Sequence, residues 1–177
     1  MGDRTGQISE RSMRIAIGST HRGLRGKHEV VNFLRGLGHD VEDFSGDDLS
    51  TTVDYSDVIR SLTSEHHRGQ RDLVILVGRD GAGMCIAANK FRGVRAAVAD
   101  DEFGAVSIQT RYHCNVLCLG AELHGPGELP RIVASFLAAR VAAGQDTRPV
   151  KEPMQVEAWS GSPTACVDET VLEGIQG

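Results

Sequence analysis

The segment GRDGAG at 78–83 concentrates the residue types best suited to holding a small anion in this 177-residue chain. Successive glycines ahead of a helix let backbone N–H groups converge on an anion, and the helix N-terminus adds partial positive charge. Two familiar phosphate loops are excluded. Gly83 precedes Met84 and Cys85 instead of Lys and Ser/Thr, so the segment is not a P-loop, and it lacks the complete GxGxxG of a dinucleotide site. Tight backbone packing is the other use such glycines have. The four cysteines, Cys85, Cys114, Cys118 and Cys166, form no CxxC pair and no zinc-finger spacing. They read as free thiols, and no metal site is expected. His66 and His67, beside Arg68, fall on the polar face of a helical pattern and are assigned to solvent.

A glycine loop of this kind needs a rigid frame, and the apolar pattern supplies one. Aliphatic runs alternate with glycine-bearing turns and amphipathic segments, which is the pattern of βα units feeding a parallel sheet. Strands are predicted at 14–18, 40–44, 73–77, 94–99 and 115–119. The first helix carries Leu24, Val30, Val31, Leu34 and Leu37, and further helices are predicted near 55–68, 84–90, 102–112 and 128–143. In an open parallel sheet, ligands bind beyond the carboxyl ends of the strands, so the loops after strands one, three and five are where chemistry is expected. From Gly144 onward Pro149, Pro153 and Pro163 interrupt any period. The domain layout is therefore a flexible extension over 1–12, an α/β domain over 13–144, and a tail over 145–177 that is either mobile or, through Trp159, packed on a neighbouring subunit.

Composition removes several classes of function. Nineteen basic against 24 acidic residues leave a formal charge of −5, which argues against nucleic-acid or membrane-surface binding by phosphate neutralisation. A hydrophobic fraction of 40% with 24% charged residues is that of a globular domain and rules out wholesale disorder. No apolar run has the length of a membrane span, and residues 1–12 contain no signal-peptide core, so a cytoplasmic protein is expected.

Five ordered segments, IAIGSTHRG (15–23), VDYSD (53–57), GAGMCIAANK (81–90), VRAAVADDEFGA (94–105) and NVLCLGAE (115–122), together resemble the ribose-5-phosphate isomerase B and galactose-6-phosphate isomerase family. The resemblance runs without gaps over 13–122, roughly 60% of the chain, and continues more loosely through the last helix. It implies a Rossmann-like three-layer α/β/α sandwich with five parallel strands in the order 2-1-3-4-5. It also implies a homodimer or homotetramer with active sites shared between chains, a phosphorylated sugar as ligand, and no cofactor. Such enzymes interconvert aldose and ketose phosphates through an enediolate, which requires an anion cradle, a ring-opening group, a base, and donors to the enediolate oxygens.

Carried over position by position, the family pattern gives His21 to phosphate binding or ring opening and places Arg148 near the phosphate-binding arginines. Arg22, Arg111 and Lys151 are substitutes for the latter. Thr20 stands where an aspartate usually precedes the histidine, and Gly81, Ala82, Gly83 and Asn89 keep the ligand-binding words. The base departs. Family members carry a cysteine at the position of Gly78 or a glutamate at that of Met84, and this chain has neither. Asp80 is the first replacement candidate and Cys85 the second, because a helix N-terminus can lower a thiol pKa, although a small buried core residue would look the same in sequence. Cys114 and Cys118 are assigned to packing. The family's HNDAN reads Arg111-Tyr112-His113-Cys114-Asn115 here, so the ring-opening histidine maps onto Arg111 and the sugar-contacting asparagine onto Tyr112, and His113, two residues on, is a further catalytic candidate that reaches the site only by a local backbone change. The expected function is sugar-phosphate isomerisation. The alternatives are a non-catalytic binding or heteromeric partner subunit, or different chemistry in the same pocket.

Overall fold

Five short runs of β-branched and aliphatic residues assemble into one parallel sheet in the computed structural model, which describes residues 12–45, 59, 72–91 and 93–143. Strand β1 (Arg14–Ser19) pairs with β2 (Asp40–Asp43) on one side and β3 (Leu73–Gly78) on the other. Beyond β3 lies β5 (Val116–Gly120), and β4 (Ala96–Val98) forms the edge. The order is therefore 2-1-3-5-4, which corrects the expected 2-1-3-4-5 in its last two positions. Burial explains the exchange. Every residue of β5 is buried and every residue of β4 is half-buried, so the continuous apolar run VLCLG takes the interior and the short AAV takes the edge.

This order decides where the helices lie. Four are described: α1 (Leu24–Gly36), α2 (Ala82–Ala88), α3 (Glu102–Tyr112) and α4 (Glu128–Ala142). The chain steps outward from β3 to β4 through α2, then inward to β5 through α3. Right-handed connections, the near-universal hand, put those two helices on opposite faces. The core divides accordingly. Ile15, Ile17, Leu73, Ile75, Val77, Leu117 and Leu119 face α1, α3 and α4, where Val30, Leu34, Ala105, Ile132, Val133 and Phe136 are buried. The alternate strand residues Ala16, Val74, Leu76, Val116 and Cys118 meet Met84 and Ala88 of α2, together with Ile59. Ile59 is helical and fully buried, while the rest of the helix expected near 55–68 lies outside the described residues.

Strand β4 is shorter than its sequence pattern because side chains occupy its backbone. Arg95 N donates to Asn115 Oδ1 at 2.8 Å, and Ala96 N donates to Asn89 Oδ1 at 3.0 Å. The side-chain amide thus covers an edge that would otherwise be open to pairing. Helix α3 begins at an Asp101 cap that accepts from Gly104 N, and ends at His113, whose left-handed backbone (φ 48°) turns the chain into β5. Among the described residues no helix is long and apolar enough to cross a membrane.

Candidate functional site

The loops after β1, β3 and β5 are bonded to one another at the carboxyl edge of the sheet. Thr20 N donates to Val77 O at 3.1 Å, carrying the first loop across the end of β3. A 3₁₀ turn at His21–Gly23 comes next, and Gly23 packs so closely that a β-carbon there would lie 2.0 Å from Val77 O. On the other side Ala121 N donates to Gly78 O at 2.8 Å and Glu122 N to Arg79 O at 3.0 Å. An ion pair of Arg22 Nη1 with Glu122 Oε1, 3.0 Å long and about half exposed, joins the first loop to the last. His21, Arg22, Asp80 and Glu122 are thereby grouped around one edge.

Within the middle loop Gly81 has φ +78°, and a β-carbon on it would meet the backbone of Leu119 at 3.1 Å. Both facts demand glycine. The turn delivers Ala82 and Gly83, exposed at the start of α2, with Asp80 Oδ1 accepting from Ala82 N at 3.0 Å. The other carboxylate oxygen of Asp80 lies 3.6 Å from Arg79 Nη2, and the side chain is 43% exposed. Asp80 therefore shapes the loop and still presents an oxygen to solvent.

Beside it, the point where the resemblance leads one to expect a base is filled. A β-carbon at Gly78 would lie 3.1 Å from Met84 Sδ, and Met84 is buried. The two positions at which a cysteine or glutamate base is expected thus address one point, and in this chain a thioether occupies it. A thioether has no titratable proton and accepts hydrogen bonds only weakly.

Cys85 and Asn89 belong to a different seam. Cys85 Sγ lies 3.4 Å from Ala96 O. Asn89 Nδ2 donates to Ala96 O at 2.9 Å while its Oδ1 accepts from Ala96 N, so the amide expected to touch ligand clasps α2 to β4. A hydrogen bond from Cys118 holds the Cys85 thiol at about 7; burial opposes this, and the Val98 backbone and Asn89 assist it. Burial pushes Cys114 up to about 11, and Cys118 rises well above the ordinary thiol value through its bond to Cys85 and through burial.

Arg111, Tyr112 and His113 stand at the other end of the sheet. Arg111 and Tyr112 are exposed on the last turn of α3, and His113 O accepts from Arg95 Nε at 3.0 Å and Nη2 at 2.8 Å. The five residues of β5 separate this segment from the glycine loop by about 16 Å at 3.3 Å per residue. One chain does not bring the two groups together. Arg148, Lys151 and Trp159 lie outside the described residues, as do His66 and His67.

Three features of this edge carry no signal in the sequence. Lys27 Nζ, fully buried, bonds Asp43 Oδ2 at 2.6 Å. Asp43 Oδ1 accepts from Ser45 N, and Ser45 Oγ accepts from Ser19 N, which anchors the strand end just before His21. Glu122 is the second carboxylate at the site. His124 contacts Gly120 O through Nδ1 and Asp100 O through Nε2, both at 2.7 Å. Burial alone would lower its pKa, but the two carbonyls and the Asp100 and Glu128 charges prevail and raise it. The pairs Lys27–Asp43, Arg22–Glu122 and Asp100–His124 join residues 16, 100 and 24 positions apart in the chain. Among the described residues no three His, Cys, Asp or Glu side chains cluster to hold a metal ion.

Comparison with known proteins places this arrangement. The sequence profile of the ribose/galactose isomerase family matches residues 15–152. The D-erythrulose-4-phosphate isomerase of Pectobacterium atrosepticum is 32% identical over 132 residues, covering 75% of this chain and 87% of that protein. A crystal structure of a ribose 5-phosphate isomerase from Thermotoga maritima superposes with a TM-score of 0.68 at 34% identity, covering 72% of this chain and 88% of the other. The ribose-5-phosphate isomerase B of Mycoplasma genitalium with bound ribulose-5-phosphate gives a TM-score of 0.66 at 28% identity, covering 77% and 95%.

Proposed function

The chain belongs to the ribose/galactose isomerase family, and from that membership we propose that it is a sugar-phosphate aldose–ketose isomerase acting through an enediolate. The observation that carries the reading is the carboxyl edge of the sheet, where the amide-lined loop 78–83 is bonded to the His21 loop on one side and to the Ala121–Glu122 loop on the other. Backbone donors at Gly81 and Gly83 suit anionic oxygen, while Ala82 N is held by Asp80 Oδ1, and His21 takes the phosphate or assists ring opening, with Thr20 and Arg22 beside it. Arg148 is assigned to the phosphate on the family pattern alone.

The proton acceptor we assign is Asp80. Its Oδ2, beside Arg79 and open to solvent, takes the proton from C2 of the open-chain aldose, the C2 electron pair moves toward C1, and the carbonyl oxygen becomes an enediolate oxygen held by the loop donors. The hydroxyl proton on O2 passes to O1, the C2–O2 carbonyl forms, and return of the first proton to C1 gives the ketose. Cys85 is set aside as the base because its sulfur is held against Ala96.

Arg111 and Tyr112 enter the site from a second copy of the chain. Support comes from their exposure and from their position at the amino edge, where they can reach the carboxyl-edge loops of a neighbour and not their own. The assembly is a homodimer or a dimer of dimers, and we place it in the cytoplasm, where Cys85, Cys114 and Cys118 persist as free thiols.

Met84 in the base's place favours a second reading, a subunit that binds sugar phosphate and leaves proton transfer to a related chain. One assay separates the two. Purified protein incubated with four-, five- and six-carbon aldose phosphates, including ribose-5-phosphate and the aldose partner of D-erythrulose-4-phosphate, the sugars named for its relatives, is followed by carbon NMR. Conversion of at least one aldose to its ketose is expected. Tight binding without any conversion would replace the isomerase with the binding subunit.

A further inference from the structure

Beneath α2, away from the loop edge, two cysteines pack into one buried cluster. Cys118 lies on β5 directly opposite Val98 of β4, on the face that α2 covers, and is fully buried. Cys85, on the first turns of α2, is half-buried and packs on the same cluster. Its Sγ lies 3.4 Å from Ala96 O, two residues along β4 from the Val98 that pairs with Cys118, and 3.6 Å from Asn89 Nδ2. The isomerase chemistry uses neither sulfur.

We propose that Cys85 and Cys118 form a peroxide-sensitive thiol pair, with Cys85 the attacking sulfur and Cys118 the resolving one. In the first step the Cys85 thiolate attacks one oxygen of hydrogen peroxide and the O–O bond breaks. Hydroxide departs and is protonated to water, leaving a sulfenic acid on Cys85. In the second step the Cys118 thiol gives up its proton and attacks the Cys85 sulfur. The sulfenic hydroxyl leaves as water, and a Cys85–Cys118 disulfide remains. Two thiols lose two electrons, and one peroxide becomes two waters.

The assignment of roles rests on the surroundings. Cys85 has the partial exposure a peroxide needs, and its bonds to Cys118 and Asn89 favour a thiolate near neutral pH, with a thiol pKa of about 7. Cys118 has no exposure and stays protonated until its partner becomes electrophilic. Cys114 is also buried but packs in the cluster on the opposite face of the sheet, so it is not the resolving sulfur. The disulfide would join the start of α2, and with it the Gly81–Gly83 end of the site loop, to the central sheet.

The test uses the reduced full-length protein titrated with hydrogen peroxide, then digested under non-reducing conditions for mass spectrometry. The expected result is a linked pair of peptides containing Cys85 and Cys118, lighter than their sum by two hydrogens and released by dithiothreitol. In Cys118→Ser or Cys118→Ala, Cys85 should accumulate as a sulfenic acid that dimedone traps. In Cys85→Ser, Cys118 should stay reduced. The proposal falls if both sulfurs remain reduced at peroxide levels that oxidise free cysteine. It also falls if the main link runs to Cys114 or Cys166, or if Cys118 oxidises equally well without Cys85.

Discussion

At the scale of single residues, the site is defined by what stands 3.1 Å from the missing β-carbon of Gly78. Met84 fills that point with a side chain that cannot take a proton, which leaves Asp80 as the carboxylate of the same loop with an oxygen open to solvent. Asp80→Asn separates the two tasks of this residue. The amide oxygen of Asn can still accept from Ala82 N, so the loop keeps its shape, but the base is gone. Turnover should fall by about 10²- to 10⁴-fold with KM little changed; steady-state kinetics showing unchanged turnover would move the base elsewhere, with Glu122 next in line. Much of this was legible in sequence. The glycine loop, His21 and the loss of Cys or Glu at 78 and 84 lie in short contiguous words whose order survives. Asn89 was misleading because its word is intact while its amide is spent on Ala96, and Lys27, Glu122 and His124 were invisible because partners 16, 100 and 24 residues away define them.

At the scale of elements, the loops hold the site because each is tied to its neighbours, and one of the ties, between Asp100 and the end of β5, runs through the His124 ring. Both ring nitrogens face carbonyl oxygens, so only the doubly protonated ring donates to both. With a folded pKa raised above the ordinary histidine value of 6.5, the tie stabilises the fold fully below that value and is lost as pH rises through the higher folded one. Melting temperatures of the parent chain and His124→Asn should therefore differ most below pH 6.5 and converge as pH rises above it through the folded pKa. A gap that widens with pH would show that His124 is not held as the imidazolium. Element types could be read from the chain because apolar runs at β1, β3 and β5 carry their own period. The exchange of β4 and β5 could not, because neighbours in a sheet are chosen by how much surface each strand can bury and not by local pattern.

At the scale of the whole molecule, the separation of about 16 Å between the glycine loop and Arg111 turns an element-level fact into a statement about assembly. If two chains build each site, His21→Ala and Arg111→Ala homomers should both be crippled. Mixing them after denaturation and refolding should restore about a quarter of the parent activity, because half the dimers are mixed and each mixed dimer holds one intact site. No recovery on mixing would put Arg111 outside the site. The sharing of sites entered through the family resemblance and not through any motif, since no single-chain pattern records which residues a second copy supplies. The central claim remains enediolate chemistry with a substitute base, and solvent hydrogen exchange addresses it directly. Four- to six-carbon sugar phosphates are incubated with the protein alone in deuterium oxide and followed by proton NMR. Deuterium entering C1 or C2 of at least one sugar, and lost in Asp80→Asn, is the predicted result; phosphates that bind and exchange no carbon-bound hydrogen would contradict it.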